Sequence, residues 1–241
     1  MKSKKLKKIL GGLGATLLLE TITPARAQED PIETLKDKPR VGVYLEQANK
    51  YKSDAGFTIL DSPVTNANVG ASYGKWSGFV WAAHNNVTND INEVDVGIGY
   101  SFGSENGKFS GRVGFERWMF TEDGGNTELF IGDLGYNNGI NFSVNVKQVL
   151  DADGTSYRIG AERTFNIGRK KLPLTLTPYA KTSCLDNFFG VTKCPSNSVF
   201  GASLETKIGD YPVLFSGEYH KGEGDFKDDL VGRLKINFDL F

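Results

Sequence analysis

The sequence has no long apolar run beyond position 19 and few cysteines and histidines. It contains two cysteines and two histidines in 241 residues. Without about 20 consecutive apolar residues, the rest of the chain cannot cross a bilayer as a helix. Cys184 and Cys194 have no neighbouring histidine and are not spaced C-x-x-C, so a zinc site or a redox pair is a poor match. We predict a disulfide between them, as is usual in exported proteins.

The one uniformly apolar run lies at the N-terminus. Residues 9–19 read ILGGLGATLLL, five lysines precede them, and Ala25-Arg26-Ala27 follows. This order is typical of a secretory signal peptide, so we predict one over residues 1–27. Residues 28–39 are polar and contain two prolines. They are predicted to be a soluble periplasmic lead-in to the domain that follows.

Positive charge is concentrated in the predicted signal peptide. Residues 28–241 contain 22 basic and 28 acidic side chains. Because binding to phosphates requires clusters of basic residues, this balance argues against a nucleic-acid partner.

Alternation with a period of two runs through the rest of the chain. In EVDVGIGYSFG, residues 93–103, one row is Val94, Val96, Ile98, Tyr100, Phe102 and the other is Glu93, Asp95, Gly97, Gly99, Ser101. Such alternation predicts β-strands with one apolar face. We predict an all-β domain over residues 40–241 with twelve strands, at 40–48, 64–73, 76–85, 91–102, 108–120, 127–136, 139–149, 155–166, 172–182, 197–208, 211–221 and 229–240.

The connections between these strands alternate in length. One set is short, such as 74–75, 138–140 and 209–210, and the other is mostly longer, such as 49–63, 183–196 and 222–229. Transmembrane barrels have short periplasmic turns and longer outer loops, and an even strand count places both termini on the turn side. Aromatic residues also concentrate at predicted strand ends, as expected of girdles at the membrane interfaces, with Trp118 and Phe120 near the loop end.

We therefore predict a transmembrane antiparallel up-and-down β-barrel in the bacterial outer membrane, whose apolar rows contact lipid. A soluble two-sheet periplasmic protein, with the apolar rows in its core, is the alternative. In the barrel, the polar rows face inward and supply candidate pore-lining residues: Glu93, Asp95, Arg112, Glu116, Lys147, Arg158, Glu162, Lys181, Glu205, Glu218, Arg233 and Lys235. Pairs such as Glu93 or Asp95 with Arg112, and Glu162 with Lys181, are expected between neighbouring strands.

Two functions are compatible with such an interior. If water fills it, the charges set the preference of a narrow pore for small solutes or ions. If the charged pairs fill it, the barrel is a non-conducting structural or surface-binding protein. Twelve strands lie between filled eight-stranded barrels and open porins, so strand number does not decide. Neither function needs a cofactor or a metal, and we predict no enzyme activity.

A membrane-bound lipid hydrolase is a third possibility. Such an enzyme would be expected to show a His-x-Ser arrangement, whereas His84 is followed by two asparagines and His220 by Lys221 and Gly222. A histidine at the aqueous end of a strand is more often a solvated residue than a catalytic one.

The chain resembles bacterial outer-membrane β-barrels generally. The C-terminal segment LVGRLKINFDLF is amphipathic and ends in Phe241, like the signal that the outer-membrane assembly machinery reads, although Phe241 is out of phase with the apolar row of that segment. Residues 69–103, VGASYGKWSGFVWAAHNNVTNDINEVDVGIGYSFG, resemble a hairpin of the small TorF-like porins. The resemblance implies passive passage of solutes, with membrane lipid and the assembly machinery as partners.

Overall fold

The computed structural model describes residues 39–53, 57–104, 106–121, 125–168, 173–222 and 228–239. The predicted signal peptide and nearly all of the predicted lead-in lie outside these residues. The described chain contains fifteen strands: β1 Arg40–Ala48, β2 Tyr51–Lys52, β3 Thr58–Leu60, β4 Val64–Tyr73, β5 Trp76–Asn85, β6 Asp90–Gly103, β7 Phe109–Phe120, β8 Asn126–Asn137, β9 Asn141–Val149, β10 Gly154–Glu162, β11 Phe165–Asn166, β12 Thr175–Phe188, β13 Val191–Ile208, β14 Tyr211–Gly222 and β15 Asp229–Asp239.

Twelve of these strands form a closed antiparallel barrel, as predicted. Each barrel strand pairs with the barrel strands that precede and follow it in the chain. The first barrel strand, β1, also pairs with the last, β15. The short strand β11 adds to the edge of β12, and β10 pairs directly with both β9 and β12. The small β2–β3 ribbon stands apart from the barrel sheet. Nine or more residues in each barrel strand are enough for a tilted strand to cross a bilayer.

The two ends of the barrel differ. One, called the turn end here, carries connections 74–75, 104–108, 138–140, 163–174 and 209–210 together with Arg40 and Asp239. The other, called the loop end, carries connections 49–63, 86–89, 121–125, 150–153, 189–190 and 223–228. The start of the first barrel strand and the end of the last one therefore both lie at the turn end, as the even strand number requires.

The apolar rows face outward along the barrel. Val80, Ile98, Phe115 and Ile159 are each more than half exposed. At the turn end, an outer belt of aromatic side chains includes Trp76, which is 55% exposed and packs edge-on against Tyr100. This band is the surface that a membrane barrel presents to lipid.

The predicted loop around the two cysteines is wrong. Strands β12 and β13 continue through it as one long hairpin that turns at residues 189–190, and Cys184 and Cys194 are joined by a disulfide near its tip. The pairing shifts register between Ser183 and Leu185, so the tip bends relative to the barrel wall below it. The register shift interrupts the regular alternation of apolar and polar residues, so alternation in the sequence did not predict strand in this part of the chain.

Candidate functional site in the barrel interior

The structure places all twelve candidate pore-lining residues on the row of their strands that alternates with the lipid-facing row. Four are half-buried, namely Arg112, Glu162, Lys181 and Glu205. The other eight are buried: Glu93, Asp95, Glu116, Lys147, Arg158, Glu218, Arg233 and Lys235. Their role in lining a pore stays a prediction.

The interior divides into two halves by burial. Near the turn end, inward residues such as Arg40, Ser101, Ser110 and Ser143 are exposed, so this half is an open vestibule. Toward the loop end, the inward side chains are almost fully covered, including Trp81 and Trp118. These two indole rings are buried because two segments of the chain fold into the barrel and cover them.

The first segment is the connection 49–63, of which residues 49–53 and 57–63 are described. Phe57 packs against wall residues that include Trp118 and Leu129, and Tyr51 packs against Trp81 with 5.8 Å between ring centroids. The Tyr51 hydroxyl donates a 2.9 Å hydrogen bond to the Glu93 carboxylate. The segment therefore lies across the mouth and contacts two parts of the wall.

Ionic contacts fix the base of this segment. The Lys50 ammonium lies 2.7 Å from Asp229 and 3.0 Å from Asp61, and these hydrogen bonds raise the pKa of Lys50. Lys52 is fully buried, and loss of hydration lowers its pKa while the nearby Asp229 opposes that shift.

The second segment is the tip of the β12–β13 hairpin, residues 184–194, called the disulfide hairpin here. Leu185 and Phe188 are buried, and both pack in the same cluster as Phe57 and Trp118. The backbone of the tip approaches β10 so closely that a Cβ on Gly154 would lie 2.7 Å from the carbonyl oxygen of Asn187 and 2.9 Å from Cα of Phe188. Glycine at position 154 therefore permits this contact.

Together, segment 49–63 and the disulfide hairpin form a plug inside the loop end. The inward course of the plug was not predicted. Trp118 and Phe120, predicted to belong to an outer girdle at the loop end, both pack with the inward apolar cluster instead. The signal was available in the apolar residues of the two predicted loops, among them Phe57, Ile59, Leu185 and Phe188. An exposed loop would not be expected to carry so many apolar side chains.

A group of carboxylates lies on one wall beneath the plug. Glu93 and Asp95 are on β6 and Glu116 is on β7, and all three are at most 3% exposed. Lys147 interacts electrostatically with all three, and its ammonium lies 5.1 Å from the centroid of the Trp118 ring. Three buried carboxyl groups and one lysine therefore share this part of the wall.

A network of ionic and hydrogen bonds occupies the opposite wall. The Arg233 guanidinium contacts the Glu218 carboxylate directly and lies 3.8 Å from Glu46. The Tyr179 hydroxyl donates a 2.7 Å hydrogen bond to Glu218, and the Asn66 amide donates one of 2.9 Å to Glu46. These contacts tie strands β1, β4, β12, β14 and β15 together across the interior.

The pairing predicted between Arg112 and Glu93 or Asp95 is wrong. Register places Arg112 opposite Ser101 and Asp133, closer to the turn end, and its electrostatic partners are Glu116 and Asp133. Its guanidinium lies so close to Gly99 that a Cβ there would overlap it. The predicted pair of Glu162 with Lys181 stays a prediction.

His220 is buried inside the barrel, 3% exposed. Its Nδ1 lies 3.1 Å from the amide nitrogen of Asn197 and its Nε2 lies 3.1 Å from a Glu218 oxygen, so neither contact is with a hydroxyl nucleophile. Among the described residues, no cluster of histidine, cysteine, aspartate or glutamate is arranged to hold a metal ion.

The fold is that of outer-membrane porins. The chain is similar to the KdgM porin, with a TM-score of 0.55 at 8% identity over 83% of this chain and 99% of that one. It matches the KdgM porin in complex with disordered oligogalacturonate (TM-score 0.56, 8% identity, 84% and 99% covered) and the NanC porin (TM-score 0.52, 12% identity, 82% and 100% covered). No protein-family model and no curated protein matches the sequence. The barrel and these neighbours are consistent with the bacterial outer membrane.

Proposed function

We propose that the protein is a porin-like channel of the outer membrane for passive diffusion of small solutes or ions, with the plug closing its loop end. The observation that carries this proposal is the inner surface, where most strands of the barrel carry buried or half-buried charged side chains although the outer surface is largely apolar. The twelve candidate residues then line the route. The turn end would face the periplasm and the vestibule would open there.

The resemblance of residues 69–103 to TorF-like porins supports the same function. In the structure this stretch ends β4 and forms β5 and β6, the part of the wall that carries Trp81 and Asp95. The outer-membrane assembly machinery is the proposed partner for insertion, and lipid the proposed partner of the apolar band.

A specific observation favours a second candidate, a barrel that does not conduct. The loop-end half is filled by buried side chains, including ionic groups held in a fixed network. A filled interior of this kind stabilises a barrel without any need for transport.

Removing the disulfide hairpin distinguishes the two candidates. Ser183 pairs with Asn197, so residues 184–196 can be replaced by an Asn-Gly turn that joins paired strands. The matched control replaces residues 104–109 at the opposite end in the same way, since Gly103 pairs with Ser110.

Single-channel recording in planar bilayers is the measurement, with folding verified by heat-modifiable migration on gels. We expect infrequent or small current steps from the full chain and from the control, and larger, frequent steps from the hairpin-shortened variant. A folded variant without the disulfide hairpin that carries no current would refute the channel and leave the non-conducting barrel.

A further inference from the structure

The connections at the two ends of the barrel carry opposite charge. Those at the turn end contain six basic and two acidic side chains, a formal net charge of +4. Those at the loop end contain three basic and nine acidic side chains, a formal net charge of −6. Positive charge is therefore concentrated at the end of the barrel that is proposed to face the periplasm.

Three outward aromatic side chains lie side by side next to the 74–75 turn. Tyr73 pairs with Trp76, and Trp76 pairs with Tyr100 on the next strand. Tyr73 and Trp76 are both more than half exposed, and the Trp76 and Tyr100 rings pack with their centroids 5.1 Å apart. Tyrosine and tryptophan concentrate at the boundary between hydrocarbon and lipid headgroups. These three residues, called the aromatic row here, therefore mark the headgroup level.

Lys75 brings a positive charge to the same level. Its side chain is exposed, and its ammonium lies 5.9 Å from the centroid of the outward Tyr100 ring, so the charge is on the lipid-facing side of the barrel. It forms no ion pair with any described residue. The Lys75 charge is thus available to an anion supplied by the membrane.

A second basic residue at the turn end shows the same arrangement. The Arg163 guanidinium lies 5.0 Å from the centroid of the Phe165 ring, which shares the outer face with Leu176. On the outer face near the loop end, by contrast, Arg117 lies 3.9 Å from the Glu128 carboxylate, which offsets its charge. A basic side chain beside an outward aromatic ring is thus a repeated feature of the turn end.

We propose that Lys75 and the aromatic row bind the headgroup of an anionic phospholipid in the leaflet at the turn end, in preference to a zwitterionic one. A zwitterionic headgroup carries its own cation beside the phosphate, whereas an anionic headgroup gains one from Lys75. One basic side chain near a membrane surface favours anionic lipid by about fivefold. The inference deepens the proposed contact of the apolar band with lipid, and it does not depend on whether the barrel conducts.

Trp76 provides an intrinsic probe of this site. The chain has three tryptophans, and Trp81 and Trp118 are buried inside the barrel, so a quencher in the lipid phase acts mainly on Trp76. The full chain is reconstituted in phosphatidylcholine vesicles that contain a fixed fraction of either phosphatidylglycerol or phosphatidylcholine brominated near the headgroup. We expect the brominated phosphatidylglycerol to associate about fivefold more strongly at low salt, and the preference to fall at high salt because salt screens exposed charges.

Three variants locate the preference. Lys75→Gln should bring the ratio of the two association constants close to one. The matched control Lys221→Gln removes the same charge from an exposed position at the loop end and should retain the preference. Trp76→Phe should abolish the dependence of quenching on the headgroup, which verifies that Trp76 is the reporter.

The possible failures are distinguishable. Equal association of the two lipids with the parent, or a preference that is insensitive to salt, overturns the inference. A preference that persists in Lys75→Gln, or that is lost equally in Lys221→Gln, also overturns it, because the charge of Lys75 would not be its cause. Absence of quenching by both lipids would contradict contact of the apolar band with lipid. Absence of current in planar bilayers would count against the channel alone.

Discussion

Reduction of the Cys184–Cys194 disulfide should increase the fraction of time that the proposed channel is open. The bond closes a ring between residues ten apart in sequence, at the tip of the hairpin that carries Leu185 and Phe188 into the interior. If the plug opens by separation of the two arms of this tip, the disulfide opposes opening because it keeps those arms together.

The magnitude follows from the size of the ring. In the chain-entropy model, closing a ring of this length lowers the conformational entropy of the separated arms. This loss is worth about 3 kcal/mol of free energy. Since every 1.4 kcal/mol is a tenfold change in an equilibrium constant, loss of the bond should raise the open-to-closed ratio by up to about 100-fold. Contacts of Phe188 and Leu185 remain after reduction, so the closed form should still be observed.

The assay is open probability in single-channel records, before and after a membrane-impermeant reductant is added on the loop side. The control is the double variant Cys184→Ser/Cys194→Ser, which should already have the raised open probability and should not respond to reductant. An open probability that stays constant in the parent would refute the reasoning, because it would mean that the hairpin moves as a rigid unit or does not move.

Three substitutions test the remaining contacts. Phe188→Ala removes a fully buried ring and should destabilise the closed plug by about 3–5 kcal/mol, measured as a rise in open probability. Tyr51→Phe removes a hydrogen bond to the buried Glu93 carboxylate and should favour opening by about 1.5–3 kcal/mol; an unchanged open probability would show that segment 49–63 does not gate. Arg233→Ala leaves Glu218 buried without its guanidinium partner and should lower the free energy of unfolding by about 3–5 kcal/mol, measured by urea titration of tryptophan fluorescence in detergent; a loss below 1 kcal/mol would contradict the ionic network.

The barrel itself could be predicted because strand patterning is local. Val94, Val96 and Ile98 alternate with Glu93, Asp95 and Gly97, and this order alone distinguishes the outer face from the inner one. The same alternation placed the charged candidates on the inward rows. Which charges meet could not be predicted, because a partner depends on register: Arg112 lies opposite Ser101 and Asp133 and not beside Glu93.

The plug could not be predicted from alternation, because it depends on where loops fold after the barrel has closed. A physical signal for it was nevertheless present on the inner rows. The inner rows contain not only polar and charged residues but also Trp118, Leu129 and Ile131. Apolar side chains on the inner wall are stabilised by the hydrophobic effect only if another apolar surface covers them. Two of the predicted loops carry such surfaces, at Phe57 and Phe188. Apolar residues at one level of the inner wall, together with apolar residues in the loops above it, therefore predict an inward-folded plug.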